Sequence, residues 1–209
     1  MGGFVEFFHK GGPVMWPLLF CAIIGLAYVI ERFISYALAS INVNKFLDTL
    51  KRTMREKGVD EGIKMCAKLR QPVAKITKAI LEEYKKVGPR KDALEEAAST
   101  VGTDELAFID RGLPVIAAVS TIAPILGFLG TVTGMIRAFN AIALAGEVEP
   151  TLVAAGISEA LITTATGLSI AFPMVAFHVY FTTRGDSFTR NMEKAATDII
   201  TFLLEERPR

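Results

Sequence analysis

The sequence predicts an all-α integral membrane protein with three transmembrane helices, the second and third extended into a cytoplasmic helical bundle. Three observations predict it. Apolar residues gather into three long stretches, roughly residues 14–30, 113–135 and 152–181. The charges, 23 Lys and Arg against 22 Asp and Glu, sit almost wholly between and after those stretches. The segments between carry apolar residues at three- and four-residue spacing, the period of a helix with one buried face. A hydrophobic content of 51% and a mean hydropathy of +0.40 would also fit a soluble domain. Clustering decides, because about 20 residues at ~1.5 Å rise cover a hydrocarbon core of ~30 Å.

Residues 1–12 form an amphipathic segment: Phe4, Val5, Phe7 and Phe8 precede Lys10-Gly11-Gly12-Pro13. This segment is expected to lie at the outer face of the membrane, with Trp16 as a neighbouring interfacial anchor. Residues 13–38 are the first span. One Lys precedes it, its apolar run is long, and no small-x-small site comes before Glu31-Arg32, so it reads as a retained span rather than a cleaved signal. Glu6 stands where a myristoylation motif needs Ser or Thr. Residues 39–112 are a cytoplasmic helical domain with helices expected over 43–56, 60–69 and 73–87, punctuated by Gly58, Pro72 and Gly88-Pro89. Pro89 suits a first helical turn, and no strong breaker intervenes before Gly112-Leu113-Pro114. The second span, 113–141, is therefore expected to be the outer part of one long helix begun in the cytoplasm. Residues 142–151 form an outer loop. The third span, 152–182, runs on into a C-terminal helix over 183–209, where Phe188, Met192, Ala195, Ile199 and Phe202 recur at helical spacing.

Charge sets the orientation. Lys and Arg crowd the 39–112 loop and the C-terminal tail, whereas the outer loop has Glu147 and Glu149 and no basic residue. By the positive-inside rule the N-terminus is periplasmic and the C-terminus cytoplasmic. Basic residues in the large loop alternate with Asp48, Glu56, Asp60, Glu61, Glu82 and Glu83, which indicates a solvated helical surface near anionic lipid and not a nucleic-acid site. Cys21 and Cys66 have neither disulfide nor metal spacing. His178, near the inner end of the third span, reads as structural. No phosphate loop, nucleophile elbow or metal cluster is present in the sequence, so neither an enzyme nor a cofactor is expected.

Polar residues inside the spans are the candidate site. The second span carries Pro124, Gly127, Gly130, Thr131 and Gly134; the third carries Gly156, Ser158, Glu159, Thr163, Thr164, Thr166 and Gly167. The glycines supply small surfaces for close helix approach, and Pro124 supplies a kink. Counting inward from the outer connection puts Thr131 at roughly 15 Å and Thr164 at roughly 18 Å, nearly one level, with Glu159 roughly 7.5 Å above Thr164. Back-bonding and helix-to-helix hydrogen bonds account for hydroxyls alone. A carboxylate is costly at a helix centre, on the order of 2.5–3.5 kcal/mol, and turns the reading toward an ion pathway through Glu159, Thr163, Thr164 and Thr131.

The stretch from Asp110-Arg-Gly-Leu-Pro114 through Ala123-Pro124-Ile-Leu-Gly127-Phe-Leu-Gly130-Thr131-Val-Thr-Gly134, followed by Gly156-Ile-Ser-Glu159-Ala-Leu-Ile-Thr163-Thr164-Ala-Thr-Gly167, resembles the paired signature of the ExbB/TolQ/MotA proton-channel family. Three spans with a large insertion after the first resemble its ExbB and TolQ branch. The resemblance implies an inner-membrane homopentamer enclosing two copies of an ExbD/TolR-like single-span partner, whose membrane aspartate takes up and releases the ion. It places Thr131 and Thr164 at the family's pore-facing threonines and Glu159 at its acidic position. The implied ion is the proton, with sodium open, and the implied work is an envelope process such as outer-membrane transport. A non-energised scaffold and a stand-alone channel are the competing readings.

Overall fold

A computed structural model describes residues 2–145 and 150–206. Its regular elements are helices: α1 Gly2–Lys10, α2 Met15–Ala39, α3 Val43–Lys57, α4 Val59–Ala67, α5 Pro72–Val87, α6 Lys91–Asp110, α7 Leu113–Ala145 and α8 Pro150–Glu206. Three stretches, containing α2, α7 and most of α8, are long and apolar enough to cross a membrane, with windows of mean hydropathy 1.9, 2.1 and 1.7. The chain divides into two compact units, residues 1–31 with 112–180 and residues 32–111 with 181–209.

The first unit holds its helices together through small surfaces. Lipid tails are as apolar as leucine, so burying apolar side chains gives little drive for association there. Large apolar side chains accordingly face outward, among them Phe20 and Leu26 on α2, Ile125 and Phe128 on α7, and Leu161 and Phe172 on α8. Inward, Gly25 of α2 faces Val119 and Met174. Leu18, fully buried, packs with Val14, Met15, Ala123 and Ala171. Between α7 and α8 the backbones themselves approach. A Cβ placed on Gly167 would stand 2.5 Å from the Ala123 carbonyl oxygen, and one on Gly134 would stand 3.0 Å from that of Gly156.

The second unit is built from short amphipathic helices with identifiable ends. Asn42 caps α3 by accepting from the Lys45 N–H at 3.1 Å. Gly58 and Gly88, with φ of 83° and 75°, end α3 and α5 and donate their N–H groups to the Met54 and Tyr84 carbonyls. These left-handed conformations carry no Cβ penalty in glycine. Pro72 opens α5, where its missing N–H costs nothing. One face of each helix closes a core in which Leu50, Ile80, Leu81, Leu94, Ile199 and Leu203 are fully buried.

The expected unbroken helix from Pro89 into the second span is corrected by the structure. α6 ends at Asp110, Arg111 and Gly112 form a turn, and α7 starts at Leu113. The cause is local. Pro114 lacks an N–H and sits in the first turn of α7, where that N–H would have no helical partner. Gly112 takes φ 89°, and its carbonyl accepts from the Val115 and Ile116 N–H groups at 3.1 and 3.2 Å. The outer connection is also shorter than the 142–151 expected: α7 reaches Ala145 and α8 begins at Pro150, while Glu147 and Glu149 lie outside the described residues.

Ending α6 strands carbonyls at its C-terminus. Arg32 of α2, only 1% exposed, donates to the carbonyls of Phe108 and Ile109 at 3.0 and 2.9 Å. The Tyr36 hydroxyl donates to Ile109 as well, at 3.2 Å. Phe181, fully buried, packs edge-on against Phe33 and Tyr36. A delocalised guanidinium with five N–H donors suits such a cluster of acceptors.

Two glycine substitutions should move stability in opposite directions. Gly167→Ala drives a methyl into backbone and should lower thermal stability in detergent by about 1–3 kcal/mol. Gly102→Ala sits mid-helix in α6 with only the Ile76 Cδ1 at 3.7 Å nearby, and should raise it by about 0.5–1 kcal/mol.

A pH prediction follows from Cys66, a free and buried thiol. Burial pushes it up to about 12, against an ordinary value of 9.0. The unfolded state then loses this proton first, so stability is fully present below about pH 9 and falls as pH rises toward 12. Unfolding measured between pH 8 and 11 should show this fall, and Cys66→Ala should flatten it.

Candidate functional site

The seam between α7 and α8 fixes the site. Gly127 lies against Thr163, Thr164 and Gly167; Gly130 against Thr163; Gly134 against Gly156 and Ala160. Positions advancing along α7 meet positions receding along α8, so the two helices run antiparallel. Glycine at each crossing removes the side chains that would otherwise hold the backbones apart.

Near the outer end of this seam Arg137 of α7 and Glu159 of α8 form an ion pair, Nη1 to Oε1, at 2.5 Å. Helix geometry brings them together. Helical side chains lean toward the N-terminus of their own helix. Arg137 therefore leans back from the Ala145 end of α7, while Glu159 leans toward the Pro150 start of α8. The Glu159 side chain is 14% exposed and that of Arg137 47%. Gly12, at φ 70°, covers the pair so closely that a Cβ there would overlap the Glu159 carboxylate. Lys10, Ser158, Arg137 and Glu159 line a cavity of about 380 Å³ beside it.

The hydroxyls are distributed differently from the expectation. Thr164 donates across the seam to the Gly127 carbonyl at 3.3 Å. That makes Thr164 level with Gly127, one turn from Thr131, a separation of about 6 Å along the axis. The shared depth inferred by counting from the loop is corrected accordingly, because glycine packing across the seam sets the register. Thr131 is partly buried on α7 and donates to the Phe128 carbonyl of the same helix at 2.6 Å. Thr163, expected on the pathway, is fully buried against Gly130, and its hydroxyl donates to the carbonyls of Glu159 and Ala160 at 3.1 and 2.9 Å. It packs the seam. Pro124 sits within α7 one turn before Gly127. His178 is roughly 21 Å further along α8 from Thr164.

Arg137 is the candidate site residue that sequence reasoning did not single out. A signal was there to be read: a lone cation inside an apolar span needs an intramembrane partner, and Glu159 is the carboxylate at matching depth. Among the described residues, no three His, Cys, Asp or Glu side chains come together as a metal site.

Residues 68–194, which contain the seam and the ion pair, match the sequence model of the MotA/TolQ/ExbB proton channel family. An ExbB-like biopolymer transport protein of Synechocystis sp. is 34% identical over 178 residues, covering 82% of this chain and 68% of the relative. The biopolymer transport protein ExbB of Neisseria meningitidis is 25% identical over 218 residues, covering 96% of each chain. Among solved structures, C. jejuni MotAB shares the fold with a TM-score of 0.67, over 94% of this chain and 77% of that one, at 16% identity.

Gly12 gives a direct test of the cover over the ion pair. Gly12→Ala combines a left-handed backbone with a methyl aimed at Glu159, and should lower thermal stability by about 1–3 kcal/mol. Gly3→Ala, with nothing within 4 Å of its added Cβ, should leave it unchanged.

Proposed function

Since the chain belongs to the MotA/TolQ/ExbB proton channel family, we propose that it is the channel-forming stator subunit of a motor that uses proton flow to energise an envelope process. It is a multi-pass inner-membrane protein. In the proposed assembly it forms a homopentamer around single-span ExbD/TolR-like partners carrying a membrane aspartate, with its N-terminus periplasmic and its C-terminus cytoplasmic. The observation that carries the reading is the set of polar groups held inside two apolar helices: Glu159 with its partner Arg137, and the hydroxyls of Thr164 and Thr131.

The hydrogen bonds of those hydroxyls suggest how coupling works. Thr131 and Thr164 both commit their protons to backbone carbonyls. What remains is lone pairs, which accept but cannot donate. A protonated carboxylic acid on the partner can donate to them, and an ionised carboxylate cannot. The ring therefore holds the protonated partner more tightly than the ionised one, and each protonation changes the docking preference. A potential of 100 mV supplies ~2.3 kcal/mol per proton, enough over several protons to bias rotation of ring against axle.

A passive scaffold is the second reading, favoured by the back-bonded hydroxyls of Thr163 and Thr166, which serve packing. The two part company in cells that depend on this chain. Thr131→Val and Thr164→Val should each lower the energised activity about tenfold or more, and Glu159→Gln should do the same, with the assembled protein still in the membrane. A protonophore should abolish the activity. Full activity in all three variants, or indifference to the protonophore, would favour the scaffold. Conduction by the chain alone in liposomes would favour a stand-alone channel.

A further inference from the structure

The ion pair at the outer end of the seam bears on which ion can enter. A sodium ion leaving water needs several oxygen ligands at once, and a carboxylate is the strongest it could find at this mouth. Here the Glu159 carboxylate already holds a cation: Nη1 of Arg137 lies against Oε1, and the Gly12 backbone closes over the same oxygen. Because Arg137 is tethered to the adjacent helix, its charge is always at hand and competes as a very high local concentration of counter-ion. Lys10 adds a second positive charge to the cavity wall. Its own partner, Glu6, is 2.8 Å away, but both side chains are largely exposed, where water weakens the pairing. A further cation entering this cavity meets two positive charges and one carboxylate that is already engaged. A proton is under no such demand. It needs no coordination shell and can pass along hydrogen-bonded water and the Ser158 hydroxyl without displacing the guanidinium.

We propose that Arg137 acts as a built-in counter-cation at Glu159, occupying the place an inorganic cation would take, so that the outer mouth excludes sodium and leaves the pathway to protons. This rests on the ion-driven reading for its purpose, but not for its chemistry, which concerns binding at Glu159 alone. Arg137 is on this view a specificity-determining residue.

The test uses the full chain purified in detergent, titrated with sodium chloride against choline chloride at equal ionic strength. Thermal midpoint and 23Na line broadening are the readouts. The wild type and Arg137→Lys should show no sodium-specific response. Arg137→Gln should gain one, a rise in midpoint of about 3 °C or more at saturating sodium, together with line broadening. Adding Glu159→Gln should remove the gain. Should Arg137→Gln fail to fold, Arg137→Asn takes its place, and the wild-type titration still decides on its own. A sodium-specific response in the wild type overturns the proposal. So does its absence in a folded neutral variant, or a gain that survives the loss of the carboxylate. A protonophore without effect in cells overturns the ion-driven reading instead, and leaves the binding comparison standing.

Discussion

Direct backbone contact between α7 and α8 is the constraint on which the first unit depends. In an apolar solvent helices gain little by hiding leucines, so what remains is close packing, and close packing at the backbone needs glycine on both sides. Gly127, Gly130 and Gly134 on one helix and Gly156 and Gly167 on the other meet that need. The seam leaves no slack in register. It places Thr164 under the Gly127 carbonyl, buries Thr163 against Gly130, and sets Arg137 and Glu159 at the one spacing where their opposite leans converge.

A second rule operates in both units: a polar group kept from water has to be answered from within the protein. At the outer end of the seam the answer to Glu159 is Arg137, with Gly12 closing over both. In the other unit the answer to the carbonyls at the end of α6 is Arg32, aided by the Tyr36 hydroxyl. The two arginines differ in what they face. Arg32 is almost fully buried at the end of a helix, which suits a structural clasp, whereas Arg137 is half-exposed beside a cavity, which suits a site.

The three apolar stretches, the helical loop and its breakers Gly58, Pro72 and Gly88 are legible in the sequence because each rests on local chemistry: hydropathy, period and backbone freedom. The glycine motifs are legible for the same reason. What was not legible depends on how elements meet. Counting from a loop cannot give helix register, because register is set where the helices touch; here the Gly127–Thr164 contact separates Thr131 and Thr164 by a turn. Gly112-Leu113-Pro114 reads as punctuation in the sequence, and the left-handed backbone of Gly112 is what makes it a break. Arg137 was legible in principle, because a cation in an apolar run demands a partner as a carboxylate does.

The break at Gly112 gives α7 a length of its own, 33 residues. A straight helix of that length measures about 50 Å, well beyond a hydrocarbon layer of about 30 Å. Such an excess is accommodated by tilting or by carrying turns into the headgroup region, and the choice depends on the lipid. Arg137 stands about 12 Å from the Ala145 end, within reach of that adjustment. A thicker bilayer draws the ion pair deeper into hydrocarbon and a thinner one leaves it nearer water, so acyl-chain length acts directly on the hydration of the Arg137–Glu159 pair.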